Sequence, residues 1–134
     1  MRTLLAMQPP DDAIETTSMT VWIDDGIVCF RSRGVPSTRE TVIETLGVVG
    51  DLVGGAPKPV LFDARAWPSA DPQSWSTFIS KAEGLFSAAA VIVGSESLDQ
   101  LGGFPDVIDR LLVPFKVFTD EAEALAFLRD ATDD

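Results

Sequence analysis

Asp63 and Arg65 are the residues of this sequence whose types and spacing best suit a binding site. Asp63 directly follows the apolar run 60–62, and Trp67 and Ser69 belong to the irregular segment after it. In open α/β sheets, the loops that follow the carboxyl ends of the strands form the binding surface. Arg65 could hold an anionic ligand there, while Asp63 accepts hydrogen bonds from loop amides or a ligand hydroxyl. The structural interpretation is that Asp63 caps its own loop and Arg65 pairs with a surface carboxylate.

Aromatic and hydroxyl side chains elsewhere add further candidates. Trp67, Phe104 and Phe118 could line an apolar pocket, with Arg65 placed for an anionic head group. The same rings could equally pack in the core. Ser95 follows a predicted strand, so its hydroxyl could bind a small anion or could cap the element that begins there.

The residue types that most enzymes use for proton transfer or nucleophilic attack are scarce. The sequence has no histidine, no tyrosine and a single cysteine, Cys29, which lies in an apolar stretch. We find neither a phosphate-binding glycine loop nor metal-ligand spacing in it. General acid–base catalysis near neutral pH would depend on a perturbed Asp, Glu or Lys. We therefore predict no enzymatic activity, no metal and no cofactor, and a buried thiol in a reduced, cytoplasmic compartment.

The charge balance bears on the class of partner. With 10 basic and 21 acidic side chains, the chain has a net charge of −11, which repels nucleic-acid phosphates and anionic lipid head groups. No apolar run approaches the ~20 residues that cross a bilayer. Residues 26–65 nevertheless carry slightly more basic than acidic side chains, so this part could contact an anion or an acidic partner. We predict no nucleic-acid and no membrane binding.

The first half of the chain reads as a hairpin followed by a helix. Strands are predicted at 19–23 and 26–30, because an Asp-Gly pair between apolar runs is typical of a hairpin turn. Ser37, with Glu40 three residues later, has the spacing of a capping box and is the predicted N-cap of a helix. The apolar stripe of that helix consists of Val42, Ile43, Leu46 and Val49.

Strands and helices then alternate. The buried strands 60–62, 88–93 and 115–118 are predicted, with a helix beginning near Asp71–Pro72 and a short helix through 108–112. Asp120 is the predicted N-cap of the last helix. Its buried face is predicted to consist of Ala122, Leu125, Ala126 and Leu128. We predict an irregular segment at 1–12, one domain over 13–130 and an acidic tail at 131–134.

This element order resembles the STAS/SpoIIAA-like fold and, more narrowly, small bacterial STAS-like proteins without an assigned activity. The resemblance rests on the strand end 60–63, the strand 88–94 with Ser95 after it, the segment 101–104 and the ending 114–124. It implies an α/β domain with an N-terminal β-hairpin, then alternating β and α elements, and a mixed central sheet of about five strands with helices packed on it.

Anti-sigma-factor antagonists of the broader STAS family carry a phosphorylatable serine after the strand that ends in aspartate, in an Asp-Ser-Ser-Gly-Leu-type motif. Asp63 fits the strand end, but residues 64–72 do not contain that motif. Ser69 and Ser74 are candidates by location only. The resemblance therefore supports the fold more strongly than it supports a phosphorylation switch.

These observations lead to a non-catalytic protein-interaction or regulatory module of STAS-like type. We expect a homodimer, with a possible protein partner that binds the sheet edge or the loop and helix after Asp63. The alternative is a protein that binds a small apolar or anionic ligand. A third interpretation is a hydrolase built on Asp63 and a serine.

Overall fold

A six-stranded mixed sheet forms the centre of the protein. The computed structural model describes residues 9–24, 26–65, 84–94 and 113–132, with isolated positions between 73 and 81. The strands are β1 (Ile14–Glu15), β2 (Met19–Asp24), β3 (Ile27–Ser32), β4 (Lys58–Asp63), β5 (Phe86–Ile92) and β6 (Phe115–Phe118), and the helices are α1 (Arg39–Val53) and α2 (Glu121–Thr132).

The strands lie side by side in chain order, from β1 to β6. The pairs β1–β2 and β2–β3 are antiparallel, whereas β3, β4, β5 and β6 run parallel to one another. The predicted α/β fold with an N-terminal hairpin and a mixed sheet is therefore confirmed. The strand beyond the five predicted is β1, a two-residue strand at the edge.

The hairpin between β2 and β3 forms where the Asp-Gly pair predicts it. Asp24 pairs with Ile27, and Gly26 lies in the turn between them. Gly26 has a φ of 78°, a left-handed conformation that glycine adopts at no steric cost. The turn thereby sets the register in which Trp22 lies opposite Cys29.

Helix α1 begins one residue later than the capping-box pattern predicts. Its N-cap is Thr38, whose Oγ1 accepts from the backbone N–H of Thr41 at 3.3 Å, while the Thr38 N–H donates to Thr41 Oγ1 at 2.8 Å. The predicted N-cap Ser37 is wrong, since its side chain is buried instead. The predicted stripe is wrong at Ile43, which is 38% exposed.

Each helix covers one face of the sheet. On the α1 face, α1 packs against β2, β3, β4 and β5 through the buried residues Met19, Val21, Val28, Phe30, Leu46, Val49, Val53, Val60, Phe86 and Ala89. On the α2 face, the buried residues are Trp22, Ile27, Cys29, Leu61, Ala88, Ala90, Ile92, Ala124, Leu125 and Leu128. Because side chains alternate along a strand, β4 contributes Val60 to one face and Leu61 to the other.

Helix α2 begins as predicted. Asp120 Oδ2 accepts from the backbone N–H of Glu123 at 3.0 Å, which confirms Asp120 as the N-cap. The predicted buried face is wrong at Ala122 and Ala126, which are exposed, because the helix turns Ala124 towards the sheet instead.

Two predicted helices fall mostly or wholly outside the described residues. Of the one predicted to begin near Asp71–Pro72, the described positions 73, 77, 78, 80 and 81 are helical. Phe78 packs on the α1 face and stacks on Phe86 with ring centroids 6.0 Å apart. The short helix predicted through 108–112 lies outside the described residues.

Candidate functional site

The carboxyl ends of four parallel strands lie side by side at one end of the sheet, which we call the carboxyl edge. It comprises the ends of β3, β4, β5 and β6, with Asp63 as the last residue of β4. Asp63 pairs in register with Arg31 of β3 on one side and with Ile92 of β5 on the other. The sequence-predicted carboxylate therefore lies in the middle of the edge that α/β proteins use for binding.

Asp63 and Arg65 form a two-point ion pair at this edge. Arg65 Nε donates to Asp63 Oδ1 at 2.9 Å, and Arg65 Nη2 donates to Oδ2 at 2.7 Å. The backbone N–H of Arg65 also donates to Oδ1, at 3.0 Å. The Asp63 side chain is 6% exposed and that of Arg65 is 47% exposed. The pair thus has a buried acidic end and a half-exposed basic end.

This geometry tests the structural interpretation of Asp63 and Arg65. Asp63 does cap its own loop, because it accepts the N–H of the residue two positions later. Arg65 pairs with Asp63 itself, where the sequence interpretation had it pair with another surface carboxylate. A carboxylate held by a guanidinium on both oxygens fixes the loop direction and the arginine orientation.

Glu121 interacts electrostatically with the Asp63–Arg65 pair. It is the first residue of α2, and partial burial raises the pKa of its carboxyl above the ordinary value, while Arg65 acts in the opposite direction. The hydrogen bond to Asp63 raises the pKa of Arg65, so the guanidinium stays charged. Glu121, at the start of α2, therefore interacts through its charge with both Asp63 and Arg65.

Arg31 is a residue of this edge that the site prediction did not include. It lies on β3 directly beside Asp63 and is exposed. Two residues further on, Arg33 donates through Nη1 to the Thr16 carbonyl at 2.6 Å and lies 3.6 Å from a Glu15 oxygen. The sequence signal for Arg31 was the alternation along β3, since Arg31 follows buried Cys29 by two positions.

A family model for a domain of unknown function, DUF7793, matches residues 21–132 of the chain. The protein belongs to the DUF7793 family. No protein of curated function matches its sequence.

Two solved structures resemble this DUF7793 member over nearly its whole length. One is an uncharacterised protein of the DUF3478 family with a SpoIIAA-like fold from Shewanella loihica PV-4, with a TM-score of 0.63, 16% identity, and coverage of 90% of this chain and 99% of that one. The other is an anti-sigma factor antagonist from Mycobacterium paratuberculosis, with a TM-score of 0.61, 14% identity, and coverage of 91% and 98%. The fold is therefore STAS-like, as the sequence resemblance implies.

Several predicted site residues of this DUF7793 member lie outside the described part of the chain: Trp67, Ser69, Ser95 and Phe104. Phe118, offered as a pocket wall, packs against Phe127 of α2 with ring centroids 5.6 Å apart. Lys116 Nζ lies 5.5 Å from the centroid of the same ring. Of the predicted site, the structure thus brings together Asp63 and Arg65.

The remaining chemistry of the described residues is sparse. Cys29 is a buried free thiol, and burial, together with Asp24 and Glu121, raises its pKa to about 12. Within the described ranges, we find no cluster of three or more histidine, cysteine or acidic residues that could hold a metal ion. Within the same ranges, no helix is long and apolar enough to cross a membrane.

Proposed function

We propose that this protein is a non-catalytic regulatory module that binds a protein partner at the carboxyl edge, around Asp63 and Arg65. The observation that carries the proposal is the two-point ion pair, in which the buried acid holds a half-exposed arginine in one orientation. A fixed guanidinium on a rigid sheet is a recognition element, because little side-chain entropy is lost when a partner binds it. The anti-sigma factor antagonist among the similar structures supports a regulatory role for the same fold.

The state of the two most reactive groups also supports a binding role. Asp63 is engaged by Arg65 on both oxygens, so proton transfer would first have to break that pair. Cys29 is buried, and with a pKa of about 12 it forms almost no thiolate at neutral pH. Neither group is therefore poised as a base or a nucleophile.

The test is an affinity capture with three versions of the full chain. The wild type, Arg65→Gln and the matched control Arg39→Gln are each used as bait in extracts of the organism's own cells. Arg39 is an exposed arginine in the first turn of α1, which covers the face of the sheet opposite to that of Asp63. We expect a partner that is enriched by the wild type and by Arg39→Gln and is lost with Arg65→Gln. Identical protein sets for all three baits would contradict the proposal.

The homodimer is proposed separately, and we place it at the edge formed by β1 and β2. Ile14 and Ile23 are 40% and 36% exposed, and the pairing of Ile14 with Val21 puts both on the α1 face. Exposed apolar side chains beside a short edge strand favour association with another strand edge. Sedimentation should give a dimer at micromolar concentration that Ile23→Lys dissociates, and a wild-type monomer under these conditions would refute it.

We also propose that the protein acts in the cytoplasm. The buried free Cys29 is compatible with a reducing compartment. Cell fractionation followed by immunodetection tests this, and recovery in a secreted fraction would contradict it.

A further inference from the structure

Arg31 and Asp63 share the α2 face of the sheet at its carboxyl edge. Cys29 and Leu61, two positions earlier on the same strands, both belong to the core of that face. Because side chains alternate along strands, Arg31 and Asp63 lie on the same side as these two residues. They are also register partners in the parallel pair β3–β4, which places their backbones one strand spacing apart, about 4.8 Å.

The guanidinium of Arg65 is bound by Asp63 along one of its edges, and the described residues leave its outer edge open. Asp63 takes one N–H from Nε and one from Nη2. A guanidinium has five N–H donors, so both hydrogens of Nη1 and the second hydrogen of Nη2 remain. Among the described residues, no other group accepts from this outer edge. Two parallel N–H bonds on the outer edge of a guanidinium can donate to the two oxygens of one carboxylate.

Arg31 supplies a second cation on the strand next to Asp63. It is exposed, and none of the described residues forms a hydrogen bond or an ion pair with its side chain. Its neighbour Arg33, in contrast, is already used by Glu15 and the Thr16 carbonyl. Arg31 is therefore the arginine of the carboxyl edge whose side-chain N–H donors are not used by the described residues.

We propose that Arg31 and the outer edge of Arg65 together bind a carboxylate presented by an acidic segment of a protein partner. This inference rests on the proposed function and adds the chemistry of the partner. The geometry assigns the two-point contact to Arg65, since Asp63 fixes its plane. Arg31 contributes the charge and a further hydrogen bond.

Charge balance favours a carboxylate over more highly charged groups. Arg31 and Arg65 carry two positive charges, and Asp63 and Glu121 carry two negative ones. A single carboxylate therefore adds one negative charge to the group, whereas a phosphate dianion adds two beside Glu121. The net charge of −11 penalises a polyanion further.

The inference is tested by NMR of the arginine Nε–Hε groups in the full-length ¹⁵N-labelled chain, at constant ionic strength. The probes are three capped tripeptides, Ala-Glu-Ala, Ala-Gln-Ala and Ala-phosphoserine-Ala. We expect the Glu peptide to shift the signals of Arg31 and Arg65 saturably, while the signal of Arg39 stays unchanged. Arg31→Gln should weaken the binding about tenfold, the effect of losing one charge-assisted interaction. Arg31→Lys, which keeps the charge, should weaken it less.

Three results would overturn the assignment. These are equal shifts with the Gln peptide, an Arg39 response as large as that of Arg65, or phosphoserine binding more than tenfold tighter than Glu. The amide spectrum of each variant must match that of the wild type, which is expected for exposed Arg31. If all three peptides fail but Arg65→Gln still loses a captured partner, the carboxylate chemistry is wrong and the proposed function stands.

Discussion

Replacing Arg65 by Gln should destabilise the fold more than replacing Asp63 by Asn, although both changes break the same ion pair. The reason is the difference in burial, with 6% of the Asp63 side chain exposed against 47% for Arg65. Arg65→Gln leaves a carboxylate in the sheet whose remaining donor, among the described residues, is the backbone N–H of residue 65. Asp63→Asn leaves a guanidinium that water can solvate.

The expected losses of stability follow from the hydrogen bonds that each substitution removes. Arg65→Gln removes both side-chain bonds to the carboxylate. Hydrogen bonds to charged groups contribute about 1.5–3 kcal/mol each when buried, and the exposure of Arg65 calls for a value below the sum of two. We expect a loss of about 2–3 kcal/mol for Arg65→Gln. For Asp63→Asn we expect about 1 kcal/mol, because the amide oxygen still accepts the backbone N–H.

The double variant provides the sharper result. Once Asp63 is neutral, Arg65→Gln no longer leaves a buried charge, so the double variant should be about as stable as Asp63→Asn alone. The cycle then gives a coupling energy equal to the loss for Arg65→Gln alone, about 2–3 kcal/mol. Urea unfolding at pH 7, followed by the fluorescence of buried Trp22, measures all four proteins. A loss for Asp63→Asn equal to or greater than that for Arg65→Gln, or strict additivity, would refute the reasoning.

Four further predictions test other parts of the molecule. Leu61→Ala should lower the free energy of unfolding by about 2–5 kcal/mol, since Leu61 is fully buried in a central strand; a loss below 1 kcal/mol in urea unfolding would contradict this. Thr38→Ala should cost about 1 kcal/mol, and Thr38→Asp should retain most of the stability, because Asp also caps helices; equal melting temperatures for all three proteins would contradict the cap. The pKa of Glu121, followed by carboxyl ¹³C NMR, should rise further in Arg65→Gln, because Arg65 lowers it in the wild type; an unchanged titration would show that the two groups do not interact. Burial of Cys29 should make stability fall as pH rises from about 9 towards 12, because the unfolded chain releases the thiol proton there and the native protein keeps it. Urea unfolding across this range should show a weaker pH dependence for Cys29→Ala, and identical slopes would contradict the burial.

The fold could be predicted from local patterns where each pattern had one solution. The apolar run 60–62 had to be a covered strand, and the Asp-Gly pair at 25–26 had to turn the chain between two apolar segments. The cap of α1 had two solutions, because Ser37 and Thr38 are both good N-caps. Packing decides between them: Ser37 is buried, and Thr38 is left at the helix start. Local spacing alone could not decide.

Local sequence patterns could not predict strand β1 or the proximity of Arg31 to Asp63, because both depend on contacts between distant parts of the chain. Strand β1 has only two residues, and contacts from distant parts of the chain hold the turn after it. Thr16 Oγ1 lies 2.9 Å from Thr45 Oγ1 of α1, and Arg33 donates to the Thr16 carbonyl. The proximity of Arg31 to Asp63 likewise depends on the register of β3 against β4. Within the candidate site, the loop cap at Asp63 could be predicted because it is local, whereas the neighbouring arginine could not.

The position of α2 has a consequence for how the chain folds as it is synthesised. Strands that follow one another along the chain are also neighbours in the sheet, so each new strand can join the previous one as it leaves the ribosome. The α1 face can gain its cover early, because α1 is synthesised before β4. Among the described elements, Glu121–Thr132 is the one that covers the α2 face, which holds Trp22, Leu61 and Ile92. A nascent chain that stalls shortly before Glu121 would therefore expose the apolar side chains of this face to solvent. We expect chaperones to bind nascent chains of that length most strongly.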